Sequence, residues 1–220
     1  MGDMIKFSRP NGEKIEGYFA ASGKGRPGVV VIQEWWGLNP HIWSIADRLA
    51  AAGYNALAPD LYRGRVAQNP DEAQHMMSGL DFPGATNQDI RGAVNYLGAK
   101  GGKVGVMGFC MGGALALAAA VHVPEMAAAV CFYGMPDKGF ADPANIRCPF
   151  QGHFASRDHW VTPQAVDAME KAMMAAGKKP EFYRYEADHA FCNNTRPEVY
   201  DAKCADLAWE RMMAFWNKNL

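Results

Sequence analysis

The sequence predicts an α/β domain in which helices cover both faces of one mostly parallel sheet. Short β-branched runs alternate with helical patterns along the chain, the rhythm of parallel strands joined by crossover helices. No stretch reads as a linker, and 220 residues of which 49% are hydrophobic suffice for a single domain with one core flanked by several helices. No repeat with a period of tens of residues is visible, which argues against a solenoid or propeller.

The elements follow in order. Gly28–Ile32 is an unbroken β-branched run and reads as a strand. Residues 39–52 read as a helix: Asn39 can cap it, Pro40 occupies the first turn, Ile42, Ile45, Ala46 and Leu49 share a face, and Gly53 ends it. Asn55–Pro59 is the next strand. Residues 67–86 are interrupted by Pro70, Gly79, Pro83 and Gly84, so the expectation is one short helix and a loop over the sheet edge, a candidate lid. Residues 103–107 then form a strand before a helix over 111–121. Further strands are expected over 127–132, 148–152 and 182–185, with a helix from about Pro163 and a terminal helix closing the chain.

Charge narrows the partners. Acidic and basic residues nearly cancel, to a formal charge of -1, and no Lys/Arg cluster follows a helix face, which disfavours nucleic acid and anionic membranes. Residues 1–10 lack an apolar segment followed by a cleavage site, and no apolar run reaches the roughly 18 residues of a membrane span. A cytoplasmic location is the expectation. The five cysteines, Cys110, Cys131, Cys148, Cys192 and Cys204, are scattered without CxxC or zinc-finger spacing, so free thiols and no metal are expected.

One cysteine stands in a chemically distinctive setting. The strand ending near Met107 runs into Gly108-Phe-Cys110-Met-Gly112-Gly113 and then a small-residue helix, which is the G-x-C-x-G form of a nucleophile elbow. Glycines two residues before and after Cys110 remove Cβ atoms that would collide with the strand and helix flanking a sharp turn. Cys110 would sit at a helix N-terminus, where the macrodipole favours a negatively charged sulfur. The Met111 N–H becomes an oxyanion donor. A dinucleotide-binding turn is the rival reading, but Gly105, Gly108 and Gly112 miss the GxGxxG spacing.

Hydrolases with such an elbow carry nucleophile, acid and base in that chain order. Downstream, Asp158 lies in the loop after the 148–152 strand, and His189 follows the 182–185 strand. His189 would exchange protons with the thiol and the leaving group, and Asp158 would fix its tautomer. Taken alone, such an Asp is more often a turn former or helix cap and such a His a surface or packing residue; their chain order and spacing favour the catalytic reading. His159 is the rival base, although it adjoins Asp158 in sequence, where side chains tend to diverge. Upstream, Glu34 and Trp35 follow the Gly28–Ile32 strand; a surface glutamate beside core tryptophans is one reading, and the other has Glu34 facing the thiol and the Trp35 N–H as the second oxyanion donor. Trp36, Phe109, Tyr133, Trp160 and Phe191 are candidates for an apolar substrate cleft and equally for core packing.

Gln33-Glu-Trp-Trp-Gly37, Ala58-Pro-Asp-Leu-Tyr62, the Gly105 to Gly113 turn, Asp158-His-Trp-Val161 and His189-Ala-Phe191 together resemble the dienelactone hydrolase family over nearly the whole chain. The resemblance implies an α/β-hydrolase fold and a Cys-His-Asp triad at Cys110, His189 and Asp158, with no metal or organic cofactor. It further implies cleavage of an enol-lactone or related ester, and a Glu34 that holds the resting cysteine until substrate displaces it. One position departs from the family: the arginine four residues beyond the histidine, which binds a substrate carboxylate, is replaced by Asn193. Nothing after Arg65 substitutes for it, and Arg196 reads as solvated. A substrate without that carboxylate is therefore the expectation. Because a thiolate is also a good leaving group, small activated esters and lactones suit it best. An acyltransferase or thioesterase using the same thiol, and a catalytically silent binding protein, are the alternatives; oligomeric state is left open, a monomer being compatible.

Overall fold

In chain order the strands are Asp3–Ser8 (β1), Lys14–Ala20 (β2), Gly28–Ile32 (β3), Asn55–Pro59 (β4), Val104–Phe109 (β5), Ala128–Phe132 (β6), Phe150–Ala155 (β7) and Glu181–Tyr185 (β8). The computed structural model describes residues 1–220 and joins all eight in one sheet, ordered β1-β2-β4-β3-β5-β6-β7-β8. β1 and β2 form an antiparallel hairpin and β2 pairs antiparallel with β4; every pairing from β4 to β8 is parallel. The central strands β3, β5 and β6 are buried along their whole length, as their continuous apolar runs require of strands covered on both faces.

The helices are Pro40–Ala51 (α1), Pro70–Ser78 (α2), Phe82–Gly84 (α3), Arg91–Gly98 (α4), Met111–His122 (α5), Pro163–Ala175 (α6) and Ala202–Asn219 (α7). α1 begins as its sequence requires, with the Asn39 side chain accepting from the Ile42 N–H and Pro40 in the first turn. Its apolar stripe packs with Met212 and Trp216 of α7 on one face of the sheet. Leu97 of α4, Leu115 of α5 and Val166 of α6 belong to the core on the other face. α5 is apolar on every side and buried from Met111 to Val121, the signature of a helix enclosed by protein.

Two regions differ from the sequence expectation. The β1–β2 hairpin is absent from the strands expected above, although Ile5 and Phe7 on the edge strand β1, and Ile15 and Gly17 on β2, are buried or half-buried on either side of an exposed polar residue. Residues 67–86 do hold a short helix, α2, but the expected loop after it is instead α3 leading through a π-helical turn, Ala85–Ile90, into α4. Ala93, Val94 and Leu97 supply the buried stripe of α4, which Gly92 and Gly98 obscure in the sequence.

His153 on β7 carries a consequence for stability. It is fully buried, stacked against Phe132 at 4.6 Å, with Nδ1 2.7 Å from the Tyr185 hydroxyl and Nε2 2.9 Å from Gln151 Oε1. Burial, reinforced by the nearby Arg211, lowers its pKa to about 3. The folded chain therefore keeps this ring neutral while the unfolded chain protonates it below about pH 6.5, so folding stability is lost as pH falls from 6.5 toward 3. Between pH 6.5 and 5 the loss attributable to this group is expected to be about 2 kcal/mol. Urea unfolding of the wild type and of His153→Gln at both pH values checks this: the pH dependence should be smaller in the variant by that amount.

Candidate active site

Parallel pairing carries five segments to the same edge of the sheet. Glu34 follows β3, Cys110 follows β5, Tyr133 follows β6, Asp158 lies in the loop after β7, and His189 in the loop after β8. This edge, at the carboxyl ends of the strands, is where open α/β sheets present ligand-binding crevices.

Cys110 occupies the turn between β5 and α5 with φ 55° and ψ -116°, a left-handed conformation that costs a non-glycine residue about 1–3 kcal/mol. Its N–H donates to the Phe132 carbonyl at 3.0 Å, which ties the turn to β6. The flanking glycines are sterically enforced. A Cβ on Gly108 would stand 2.1 Å from the Gly112 carbonyl oxygen, and one on Gly112 would stand 2.4 Å from the Gln33 carbonyl oxygen. Gly112→Ala therefore forces the end of β3 away from α5. We expect it to cost on the order of 3 kcal/mol and to lower Tm by about 10 °C, measurable by circular dichroism melting.

Asp158 holds two positions with one carboxylate. Oδ1 accepts from the N–H groups of Trp160 at 2.7 Å and Val161 at 2.9 Å, which closes a turn. Oδ2 lies 2.6 Å from His189 Nδ1. The two loops are laced together by Ser156 N–H to Tyr185 O at 2.8 Å and Arg157 N–H to Ala187 O at 3.1 Å. Burial works against a charged His189, but Asp158 and the neighbouring Cys110 sulfur outweigh it and raise the imidazole to about 10. The edge of the ring packs against Tyr133 at 5.1 Å. A thiol, an imidazole and a carboxylate thus stand in an order that allows a proton to pass between sulfur and ring while the carboxylate holds the far nitrogen.

Glu34 is 2% exposed, and its Oε2 accepts from Asn193 Nδ2 at 2.6 Å. Asn193 is itself held by Thr195, whose N–H and hydroxyl both donate to its Oδ1. Oε1 of Glu34 is buried without a partner. Burial pushes this carboxyl up to about 7 against the opposing influence of Asn193, His189 and Arg196. The hydrogen bond that fixes Glu34 therefore comes from Asn193, whereas the family resemblance implies a hold on the cysteine. In the sequence Asn193 stands out only as a missing arginine; no local pattern marks a contact between residues so distant in the chain.

The backbone groups expected as oxyanion donors flank the same space. Met111 is the first residue of α5, so its N–H has no acceptor within the helix, and the Trp35 N–H donates to no backbone carbonyl.

A cleft of about 660 Å³ opens beside these groups and is lined by Cys110, His189 and Glu34 together with Trp36, Tyr133 and Trp160. Trp35 lines it too, its ring 5.3 Å from that of Trp36 and 5.8 Å from that of Trp160. Phe109 and Phe191, expected in the cleft, lie elsewhere. Phe109 projects into the core shared with α1 and α7 and stacks on Phe132 at 4.7 Å, because the last residue of β5 points to that face of the sheet. Phe191 is fully buried behind Tyr133 and packs against Tyr185 at 5.0 Å. Arg196, expected in solvent, lines the cleft, its guanidinium 5.6 Å from the Trp36 ring centre and 2.8 Å from Glu198. His159 is exposed and apart from the cleft. Pro70, Met77, Phe82 and Pro83 also line it, so the candidate lid segment forms one of its walls.

The pattern of the dienelactone hydrolase family matches residues 15–220. The chain is 37% identical to protein usf of Aquifex pyrophilus and 35% identical to a protein of Aquifex aeolicus provisionally named carboxymethylenebutenolidase, with 100% of both chains covered in each case. Among solved structures it is similar to one described provisionally as a dienelactone hydrolase from Klebsiella pneumoniae, at 28% identity and a TM-score of 0.85, covering 97% of this chain and 98% of that one. No helix is long and apolar enough to cross a membrane. A match over nearly the full length, on a sheet whose carboxyl edge gathers the thiol, imidazole and carboxylate, has one consequence: the chain belongs to the dienelactone hydrolase family and is a hydrolase of carboxylic esters or lactones.

Proposed function

We propose that the chain hydrolyses an enol-lactone or activated carboxylic ester through an acyl-cysteine intermediate on Cys110, with His189 as the proton carrier and Asp158 as its orienting partner. The observation that carries this reading is the 2.6 Å contact of His189 Nδ1 with Asp158, on a ring that lines the same cleft as a strained Cys110. The thiol proton moves to His189 Nε2, and the thiolate attacks the substrate carbonyl carbon. Charge developing on the carbonyl oxygen is met by the N–H groups of Met111 and Trp35. When the tetrahedral centre collapses, the carbon–oxygen bond to the leaving group breaks and His189 returns its proton to the departing oxygen. Water then loses a proton to His189 and attacks the thioester, which releases the acid and the free thiol.

Time-resolved intact-mass and peptide mapping after mixing with p-nitrophenyl acetate tests this. Acylation of Cys110 that decays with nitrophenolate turnover supports it, and release without acyl-Cys110 overturns it. Persistent acyl-Cys110 would favour acyl transfer instead.

Glu34 gives the reading a pH signature. Its carboxylate, formed as pH rises through about 7, would favour transfer of the thiol proton, so kcat/KM should rise across that range and lose this step in Glu34→Gln. The same substitution should stabilise the fold. Because the folded pKa lies above the unfolded one, stability falls as pH rises from about 4.5 to 7, and the deficit persists above pH 7. Glu34→Gln removes it and is expected to gain on the order of 2–3 kcal/mol at pH 8, read from urea unfolding.

A further inference from the structure

We propose that the cleft is built for a neutral ester whose acyl part is an unbranched apolar chain of medium length, laid along α5; this rests on the acyl-cysteine reading above. Met111, Ala114, Leu115 and Ala118 all line the cleft. They stand at i, i+3, i+4 and i+7, one face of the helix, and carry the cleft about 10 Å along its axis from the cysteine. Two of the four are alanines, whose small side chains leave room beside this face of the helix. Met77 and Phe82 of the 70–83 wall and Met135 line the same cleft, and 15 of its 23 lining residues are hydrophobic.

Phe140 lines the part of the cleft farthest along α5. Phe140 stacks on His122 at 4.9 Å, and its carbonyl oxygen lies 2.8 Å from His122 Nε2; His122 is one helical turn beyond Ala118. At the other end Trp160 is 68% exposed and marks the open mouth. The two ends suit the two halves of an ester. The leaving group must depart while the acyl group stays on sulfur, so the arm along α5 fits the acyl chain and the open mouth the leaving group.

Charge points to a neutral chain. The ionisable groups lining the cleft apart from Cys110, Tyr133 and His189 are Glu34, Asp137 and Arg196, and Arg196 is paired with Glu198. Asn193 is 1% exposed with its amide committed to Glu34 and Thr195. A carboxylate at the end of a chain laid along α5 toward Phe140 would meet apolar walls and Asp137, whereas Arg196, held to Glu198 through Nε, lies over the Trp36 ring.

The test is a chain-length series of p-nitrophenyl acetate, butyrate, hexanoate and octanoate below their micellar concentrations, with the mono-p-nitrophenyl ester of octanedioic acid as the charged counterpart of the octanoate. We expect kcat/KM to rise at least 10-fold from acetate to octanoate, since each buried methylene contributes severalfold at full burial. The octanedioate should fall at least 10-fold below the octanoate. Ala118→Phe should flatten the series by filling the cleft there, and Phe140→Ala should move the optimum to a longer chain. A flat or falling series in the wild type overturns the inference, as does an octanedioate matching the octanoate. An unaltered series in an Ala118→Phe variant of native melting temperature overturns it as well; if that variant does not fold, an unaltered series in Phe140→Ala overturns it in its place. Acetyl-Cys110 turnover with a flat series would sink this inference alone, whereas turnover of the series with no acyl-Cys110 would sink the mechanism beneath it.

Discussion

Cys110→Ala is expected to lower kcat/KM for p-nitrophenyl acetate by on the order of 10⁵- to 10⁶-fold, the scale seen when the nucleophile of a covalent hydrolase is removed. The residue left behind cannot form a bond to the acyl carbon, and His189 then has no proton to take from it. What survives is the polarisation of a bound carbonyl by the Met111 and Trp35 N–H groups, a residual effect of about 10³-fold over water in comparable sites. Nitrophenolate release by protein free of wild-type carry-over checks it. Activity above about one per cent would show that another group attacks the substrate, and the acyl-cysteine reading would fall. The same position should reveal its strain. Alanine keeps the Cβ that makes φ 55° costly, whereas glycine does not, so Cys110→Gly should be more stable than Cys110→Ala by about 1 kcal/mol. Such a result would tie the backbone distortion to the nucleophile position itself.

The elbow is legible in the sequence because its demands are local. Gly108 and Gly112 are needed by contacts formed within one strand–turn–helix unit and the strand beside it, so their spacing around Cys110 carries the geometry. Asp158 and His189 are legible by a different route: parallel strands bring successive loops to one edge, and chain order alone then places an acid and a base beside the turn. What escapes depends on which face of an element is buried against what. Phe109 and Phe191 lie within two residues of Cys110 and His189, yet closeness in sequence says nothing about whether a ring enters the cleft or the core behind it. The stretch of cleft along α5 is invisible because that helix is apolar all round, so a cleft-facing stripe looks the same as a core-facing one. The Asn193–Glu34 contact joins residues from the loops after β3 and β8, and no periodicity reports it. α4 is hidden by its own glycines, Gly92 and Gly98.

Asp158→Asn should lower kcat by on the order of 10³- to 10⁴-fold while leaving the fold nearly as stable, because the substitution alters one hydrogen bond and spares the others. The two N–H groups of Trp160 and Val161 already claim Oδ1, at 2.7 and 2.9 Å. An amide at this site keeps its carbonyl oxygen there, since the reverse orientation would set its NH₂ against two donors. Its NH₂ then faces His189 Nδ1, across the gap now spanned by the 2.6 Å contact with Oδ2. A donor in that place requires Nδ1 to be unprotonated, which leaves the ring's proton on Nε2, the nitrogen that must receive the thiol proton. The ring also loses the carboxylate that helps to raise it to about 10, so the imidazolium form becomes costlier. Single-turnover acylation by p-nitrophenyl acetate isolates the step, and urea unfolding run in parallel confirms that the turn survives. A drop below 10-fold in the acylation rate, with the fold intact, would reduce Asp158 to a turn former and take away the orienting half of the proposed proton path.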